Sequence, residues 1–212
     1  MVENDPPGPA GTEARREAPS GRGRPLSDAT ERAILQATTG LLAERGLSAM
    51  TIEEVAARAH VGKASIYRRW SSKGTLAFDA FVTDFLERQP LPDTGNLRGD
   101  LLGLLRAWVR AVRQPVTGRT LRGLVGEVQR DPELADAWRE RFVTPMRARH
   151  DAVLRRAIER GQLAPEANTG LLLDLLYGPA YHRLLHGHLP LDDAFAEDVV
   201  AVIMAANEAG VL

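Results

Sequence analysis

The stretch TIEEVAARAHVGKASIYRRWSSKGTL, residues 51–76, carries the most specific structural pattern in the chain. Thr51 and Glu54 have the spacing of a capping box, which predicts that a short helix begins at Thr51. The break His60-Val61-Gly62 ends that helix, and a second short helix is predicted from about Lys63 to Trp70. Two short helices joined by a tight turn have the layout of a helix-turn-helix, whose second helix lies in the major groove of DNA.

The second of these helices is predicted to have a buried face and a polar face. Ile66 and Trp70 are four residues apart and are expected to face the core, with Ser65 at the edge. The other side carries Lys63, Ala64, Tyr67 and Arg68. Between Val55 and Lys73 the sequence contains five basic residues and no acidic one, a pattern that favours phosphate binding. These basic residues are Arg58, Lys63, Arg68, Arg69 and Lys73.

The pattern over about fifty residues resembles the tetracycline-repressor (TetR) family of bacterial regulators. The residues that carry the resemblance are Leu42, Gly46-Leu47, Thr51-Ile52-Glu53-Glu54-Val55-Ala56, Ala59-His60-Val61 and the run from Lys63 to Leu76. The resemblance implies a bacterial DNA-binding domain followed by a helical domain that binds an effector and forms dimers. That second part of the chain carries no motif of comparable specificity.

The resemblance also implies a role in DNA binding for eight residues of this unit. These are Thr51 at a phosphate, Lys63, Ala64 and Ser65 at bases, Tyr67 and Lys73 at the DNA backbone, and Arg68 and Arg69 in support. The sequence departs from the family where His60 stands in the turn in place of the usual glycine. A left-handed backbone there is predicted to carry some strain, although histidine is among the tolerated residue types. Trp70 replaces the common phenylalanine on the buried face.

The segment before the first helix carries a separate signal. Residues 1–20 are rich in Pro, Gly, Glu and Ala and are predicted to be disordered. Arg22 and Arg24 follow, separated by glycine, and Pro25 keeps the segment extended. This stretch resembles an AT-hook core, so we expect an arm that enters the minor groove of A·T-rich DNA. The alternative interpretation is a solvated basic linker.

Helical periodicity predicts an all-α protein of about nine helices. No segment alternates with period two, so the sequence offers no support for strands. Residues 21–73 are predicted to form the helix-turn-helix domain with its basic arm, and residues 74–212 the effector-binding and dimerisation domain. The predicted helices of the second part cover residues 97–114, 120–130, 131–160 with a bend at Pro145, 168–187 and 192–210.

Composition excludes several classes of protein. The chain has 212 residues, 44% hydrophobic content, no cysteine and a net charge of −1. The absence of cysteine excludes disulfide scaffolds, cysteine zinc sites and thiol catalysis. No apolar run is long enough to cross a bilayer, and no signal-peptide pattern is present, so we expect a cytoplasmic location. The near-neutral total conceals segregation, because residues 20–73 carry nine basic and five acidic side chains.

The second part of the chain supplies candidate effector-binding residues. An apolar cavity with a few polar groups is the expected form of such a site. The candidates are Trp108, Glu127, Trp138, Phe142, Tyr177 and His182. For each of them the competing interpretation is an ordinary core or surface side chain. The last two helices are apolar and rich in small residues, which predicts a homodimer built from a four-helix interface.

These observations favour a DNA-binding transcriptional regulator that is not an enzyme. We expect a repressor that binds a palindromic operator as a dimer and is released by a small molecule, without a metal or cofactor. One alternative is an all-helical enzyme or metal-binding protein that uses His182, His186 and His188, although Arg183 stands where a metalloprotease motif has glutamate. Another is an architectural DNA-binding protein that relies on Arg22 and Arg24.

Overall fold

The computed structural model describes residues 27–212, except for the side chains of Thr83, Asp84 and Glu87. Every regular element in this range is a helix, which confirms the predicted fold class. The α-helices are α1 (Asp28–Ala49), α2 (Ile52–Arg58), α3 (Lys63–Tyr67), α4 (Lys73–Glu87), α5 (Leu97–Arg113), α6 (Pro115–Val128), α7 (Pro132–Trp138), α8 (Thr144–Glu159), α9 (Thr169–His186) and α10 (Asp193–Glu208). A π-helical turn, Arg139–Val143, lies between α7 and α8.

The first helix ends where the sequence predicts. Gly46 has φ 74° and ψ 170°, so the regular part of α1 stops there although the segment continues to Ala49. A positive φ carries little cost for glycine, because it has no Cβ to clash with the backbone. The Met50 N–H donates to the Gly46 carbonyl at 3.2 Å, and the chain then enters α2.

The helices α7 and α8 form one continuous helix through the π-helical turn. With that segment counted once, the described residues form nine continuous helices, the predicted number. The Thr144 N–H donates to the carbonyl of Arg139, five residues earlier. Pro145 follows directly and has no N–H to donate to the carbonyl of Arg141. The wider π-helical turn therefore lies beside the predicted bend.

The start of α6 differs from the prediction. The sequence predicts a helix from Thr120, but α6 begins at Pro115, directly after α5. Gly118 lies inside α6, at a point where α5 and α6 approach each other closely. A Cβ at this position would lie 2.2 Å from the Val112 carbonyl oxygen, so the junction requires glycine.

One hydrophobic core runs from Ile34 of α1 to Ile203 of α10. The helices α1 and α4 pack against each other and against α6, while α5 lies against α6, α9 and α10. The fully buried Leu121 and Leu124 of α6 lie at the centre of this arrangement. No helix among residues 27–212 is both long and apolar enough to cross a membrane.

Candidate functional site

Local hydrogen bonds build the helix-turn-helix. The Thr51 Oγ1 accepts from the Glu54 N–H at 3.2 Å, and the Glu54 Oε2 accepts from the Thr51 N–H at 3.1 Å, which completes the predicted capping box. In the turn, His60 has φ 55° and is the single non-glycine residue with positive φ within residues 27–212. The Val61 N–H returns to the Ala56 carbonyl at 2.9 Å. The left-handed backbone predicted at His60 is therefore present.

Buried side chains on one side of α3 fix its orientation. Ile66 is fully buried and Trp70 nearly so, as their spacing predicts. The helix itself ends at Tyr67, earlier than the predicted end near Trp70, and Arg68 is its C-cap. Tyr67 is 54% exposed. The outer face of α3 comprises the exposed residues Lys63, Ala64, Tyr67 and Arg68, with half-buried Ser65 at its edge.

Acidic residues that lie outside the basic run neutralise part of it. The guanidinium of Arg58 makes a bidentate ion pair with Glu44 of α1, both contacts at 2.7 Å. The Lys63 Nζ lies 2.9 Å from the Glu53 Oε1. Hydrogen bonds to these cations lower the pKa of the Glu44 and Glu53 carboxyls. The run of basic residues in the sequence does not reveal these pairs, because the acids come from α1 and from the first turn of α2.

The other three basic residues of the run have different surroundings. Arg68 donates to the Ser65 Oγ at 3.1 Å and makes no ion pair with a described residue. Arg69 lies 3.6 Å from Glu31 and 6.0 Å from the centre of the Trp70 ring. The Lys73 Nζ donates to the Ser48 carbonyl at 3.1 Å, so it holds the segment between α1 and α2. Arg68 is therefore the cation of this face that is most available to a ligand.

A single carboxylate connects the helix-turn-helix to the second part of the molecule. The Asp79 Oδ2 of α4 accepts from the Trp70 Nε1 at 2.9 Å. The Asp79 Oδ1 lies 2.7 Å from the Arg141 guanidinium in the π-helical turn. Arg141 also lies 5.3 Å from the centre of the Phe78 ring. We refer to Trp70, Asp79 and Arg141 as the Asp79 bridge.

A cavity of about 470 Å³ lies between α6, the α7–α8 helix and α9. Its wall is mainly apolar and aromatic, and the π-helical turn contributes Phe142 and Val143. The other lining residues are Val125, Trp138, Met146, Arg147, His150, Leu173, Asp174, Tyr177, Gly178 and Tyr181. Both the volume and the composition are those of a small-molecule site.

Burial shifts the pKa of two polar side chains of the cavity toward their uncharged forms. His150 is 3% exposed, and desolvation together with the nearby Arg149 charge lowers its pKa to about 4. Burial raises the pKa of the Tyr177 hydroxyl above its ordinary value. The two rings stack with their centroids 5.3 Å apart. At neutral pH both groups therefore act as hydrogen-bonding groups rather than as charges.

The structure brings only some of the candidate effector-binding residues together. Trp138, Phe142 and Tyr177 line the cavity. Trp108 is buried behind the wall, with its ring 5.1 Å from the Tyr181 ring. Glu127 lies instead beside Gly74 at the contact between α4 and α6. His182 follows Tyr181 on α9 and points to the other side of that helix, where it lines a surface groove between α9 and α10.

Sequence reasoning missed His150, Met146 and Arg147 as lining residues. All three lie in the segment MRARH, which reads as a basic solvent-facing stretch. The helical period places Met146 and His150 four residues apart on one face, and this spacing was the available signal. Arg22 and Arg24, the predicted minor-groove arm, lie outside the described residues.

The three histidines near the end of α9 are close to one another but are not arranged around a metal. The ring centroid of His182 lies 4.7 Å from that of His186 and 4.9 Å from that of His188. Within residues 27–212, no group of three histidine, cysteine or acidic side chains has a geometry that could hold a metal ion. The geometry therefore gives the zinc alternative no support.

The outer faces of α9 and α10 expose several large apolar side chains. Leu171 and Leu175 of α9 are 43% and 39% exposed, and Val202 of α10 is 68% exposed. A shallow groove of about 450 Å³ runs between the two helices and is lined by Leu175, Pro179 and Val202 among others. We call this surface the α9–α10 face.

Comparison with known proteins assigns both parts of the chain to one family. A family model described as bacterial regulatory proteins, tetR family, matches residues 34–80. A second, described as tetracyclin repressor-like, C-terminal domain, matches residues 91–203. These matches cover the helix-turn-helix and the helices that enclose the cavity.

Individual relatives agree with the family models. The HTH-type transcriptional regulator YdeS of Bacillus subtilis is 35% identical over 181 residues, which are 85% of this chain and 91% of YdeS. The DNA-binding transcriptional repressor TetR of Mycobacteroides abscessus is 34% identical, over 81% of this chain and 92% of that protein. The crystal structure of the TetR family transcription regulator SCO0332 superposes with a TM-score of 0.73 at 36% identity, covering 84% of this chain and 98% of SCO0332. The chain therefore belongs to the TetR family of DNA-binding transcriptional regulators, which are not enzymes.

Proposed function

We propose that the protein is a homodimeric repressor that binds a palindromic operator through α3 and is released by a small-molecule effector. The observation that carries the proposal is the outer face of α3, which is exposed while Ile66 and Trp70 anchor the opposite side. A relative that is 34% identical is named a DNA-binding transcriptional repressor, which supports the repressor assignment. Such a regulator acts on chromosomal DNA, so we place it in the cytoplasm.

Each residue of the outer face has a chemical role in this proposal. Ala64 and Ser65 are small enough to let the α3 backbone approach base edges, and Lys63 and Arg68 can reach base acceptors or phosphates. The Tyr67 hydroxyl is free to donate to a phosphate. Thr51 presents its exposed helix N-terminus to the DNA backbone. Lys73 supports this surface through its hydrogen bond to Ser48, and Arg69 adds positive charge beside Trp70.

A mobility-shift titration on the DNA upstream of the protein's own gene tests this assignment. We expect Lys63→Ala and Tyr67→Ala each to weaken specific binding by about tenfold or more, because each removes a contact worth about 1–3 kcal/mol. Tyr67→Phe removes only the hydroxyl and separates its phosphate contact from the ring. The exposed Arg155→Ala on α8 is the matched control and should leave binding unchanged.

The salt dependence of the same titration distinguishes the types of contact. Loss of a phosphate contact reduces the slope of log affinity against log salt by about 1, whereas loss of a base contact lowers the preference for the operator over unrelated DNA. If Lys63→Ala and Tyr67→Ala leave binding intact while Arg22→Ala abolishes it, the architectural alternative replaces this proposal. Arg22 and Arg24 otherwise form an auxiliary minor-groove arm.

The α9–α10 face supports the dimeric part of the proposal. Exposed apolar patches of this kind mark association surfaces, and two copies related by a two-fold axis would form a four-helix interface. Sedimentation velocity tests it, with Leu175→Glu and Val202→Glu expected to give monomers. Leu91→Glu, at an exposed apolar residue outside this face, is the matched control. Dimers that survive both substitutions in the face would refute this interface.

The Asp79 bridge supports the release step. An effector in the cavity contacts Phe142, and the preceding residue Arg141 contacts the same carboxylate that binds Trp70. A ligand that binds one arrangement of the π-helical turn more tightly would shift α4 and, through Trp70, the orientation of α3. In this scheme residues 21–73 form the DNA-binding domain and residues 74–212 the effector-binding and dimerisation domain.

A further inference from the structure

The cavity contains polar groups whose hydrogen-bonding capacity is unused. Among the described residues, neither the His150 imidazole nor the Tyr177 hydroxyl has a hydrogen-bond partner. Both line a cavity that is otherwise mainly apolar. Because both side chains line the cavity, water or a ligand there can satisfy their polar atoms. Their convergence in one cavity indicates where a ligand's polar atom would lie.

The two charged side chains that line the cavity, Arg147 and Asp174, balance each other. Among the described residues that line it, one ion pair joins Arg147 to Asp174 at 2.6 Å, and Arg147 also donates to the Gly170 carbonyl at 2.9 Å. The neighbouring Arg149 is turned away and donates to the Gln89 carbonyl at 2.9 Å. A charged ligand would therefore lose its hydration without contacting an unpaired opposite charge in the lining, which is strongly unfavourable.

Aromatic rings form much of the remaining wall. Trp138 and Phe142 lie with their ring centroids 4.5 Å apart, and the His150–Tyr177 stack supplies the polar end of the wall. Met146, also in the lining, is a side chain that adapts to flat rings. Flat aromatic ligands gain both apolar burial and favourable ring contacts in such surroundings.

We infer that the effector is an uncharged aromatic compound with a hydroxyl or carbonyl group that hydrogen-bonds to His150 and Tyr177. A ligand hydroxyl can donate to the imidazole nitrogen of His150 and accept from Tyr177, whereas a carbonyl can accept from both. The aromatic body then contacts Trp138 and Phe142. This inference rests on the proposal that the cavity is the effector site.

A matched set of probes tests the ligand class by calorimetric titration of the full chain without DNA. The probes are 2-naphthol, naphthalene and 2-naphthoate, which share one ring system and differ in the polar group. We expect 2-naphthol to bind about tenfold more tightly than naphthalene, the ratio that one hydrogen bond supplies. We expect 2-naphthoate to bind most weakly.

Substitutions assign the hydrogen bond. His150→Leu should lower the affinity for 2-naphthol to that for naphthalene and leave naphthalene binding unchanged, while His150→Gln should retain most of the difference. Tyr177→Phe is a smaller change that keeps the inference testable if His150→Leu does not fold. If 2-naphthoate binds most tightly and Arg147→Gln abolishes that binding, the cavity is an anion site and the inference is overturned. Equal affinities, or no binding by any probe, would also overturn it.

The experiment separates this inference from the proposed function. If 2-naphthol binds in a way that depends on His150, the ligand class is supported. If that binding does not weaken the complex with operator DNA, the release mechanism is refuted. Normal operator binding by a protein that binds none of the probes refutes the ligand class and leaves the proposed DNA binding intact. Each result is measured in a different assay, so the two failures are distinguishable.

Discussion

The outer face of α3 and the cavity differ in how their polar groups are satisfied. On the helix-turn-helix, Lys63 pairs with Glu53, Arg58 with Glu44, and Thr51 with the backbone of Glu54. In the cavity, His150 and Tyr177 have no hydrogen-bond partner among the described residues. Several polar groups at the first surface are thus already paired in the free protein, whereas these two groups of the cavity lack a complementary group.

The two regions therefore differ in what an incoming ligand has to displace. A phosphate that approaches Lys63 competes with a carboxylate that the lysine already holds, so DNA affinity is a balance between two ion pairs. A ligand in the cavity competes with nothing but water. We therefore expect substitutions on α3 to change DNA affinity with little effect on folding, and substitutions in the cavity to change folding stability as well as ligand affinity.

Truncation of one aromatic ring in each region gives the largest expected contrast. Phe142→Ala should lower the free energy of unfolding by about 3–5 kcal/mol, because it leaves a cavity in the core where the ring is 2% exposed. Tyr67→Ala should change it by less than about 0.5 kcal/mol, since that ring is mostly exposed. Urea denaturation of both variants, followed by helical circular dichroism, measures the two values.

Titration of both variants with operator DNA provides the control for the stability measurement. Tyr67→Ala should lose DNA affinity while it remains stable. Equal destabilisation by the two substitutions would show that Tyr67 is part of the core and would remove the contrast between the regions.

The pH dependence of stability sharpens the same comparison at His150. Its pKa is lowered from 6.5 to about 4 in the folded protein, so the unfolded chain binds a proton between these values and the folded chain does not. The stabilising contribution is complete above about pH 6.5 and is lost as the pH falls toward 4. The loss between pH 7 and pH 5 should be about 2 kcal/mol. His150→Gln, which cannot titrate, should lack this part of the pH dependence in urea denaturation. An identical pH profile for the two proteins would contradict the prediction.

The helix-turn-helix could be predicted from the sequence because its determinants are local. The capping box at Thr51, the positive φ at His60 and the end of α1 at Gly46 each depend on a few neighbouring residues. Ser27, Asn96, Asp131, Asn168 and Asp192 likewise accept a hydrogen bond from the third following N–H and begin their helices. Where a boundary depends on local hydrogen bonds, the sequence therefore predicts it within a few residues.

The cavity could be predicted only in part because it is assembled from distant segments. Trp138 and Tyr177 were recognisable as large aromatic residues, but which side of α9 faces inward depends on how α9 packs against α8. That packing separates Tyr177 and Tyr181, which line the cavity, from His182, which does not. The start of α6 was predicted five residues late for a similar reason, because it depends on the close approach of Gly118 to the Val112 carbonyl of the preceding helix. The acidic partners of the basic run also come close to it only through the packing of the helices.

The Asp79 bridge joins the two regions and gives the smallest expected change in stability. Asp79→Asn keeps an acceptor for the Trp70 indole but removes the charge that holds Arg141, so we expect a loss of about 1 kcal/mol in the free energy of unfolding. Asp136→Asn is the matched control, because Asp136 pairs with Arg139 on the exposed side of the same helix and should contribute almost nothing.

Operator affinity shows whether the bridge positions α3. If it does, Asp79→Asn should weaken specific DNA binding about fivefold and should reduce the effect of a cavity ligand on that binding, while Asp136→Asn changes neither. A purely structural role for Asp79 would lower stability and leave the specific DNA affinity and its response to ligand intact. That result would mean that the outer face of α3 and the cavity communicate through other contacts, such as the hydrogen bond from Ser72 to Asp131 at the start of α7.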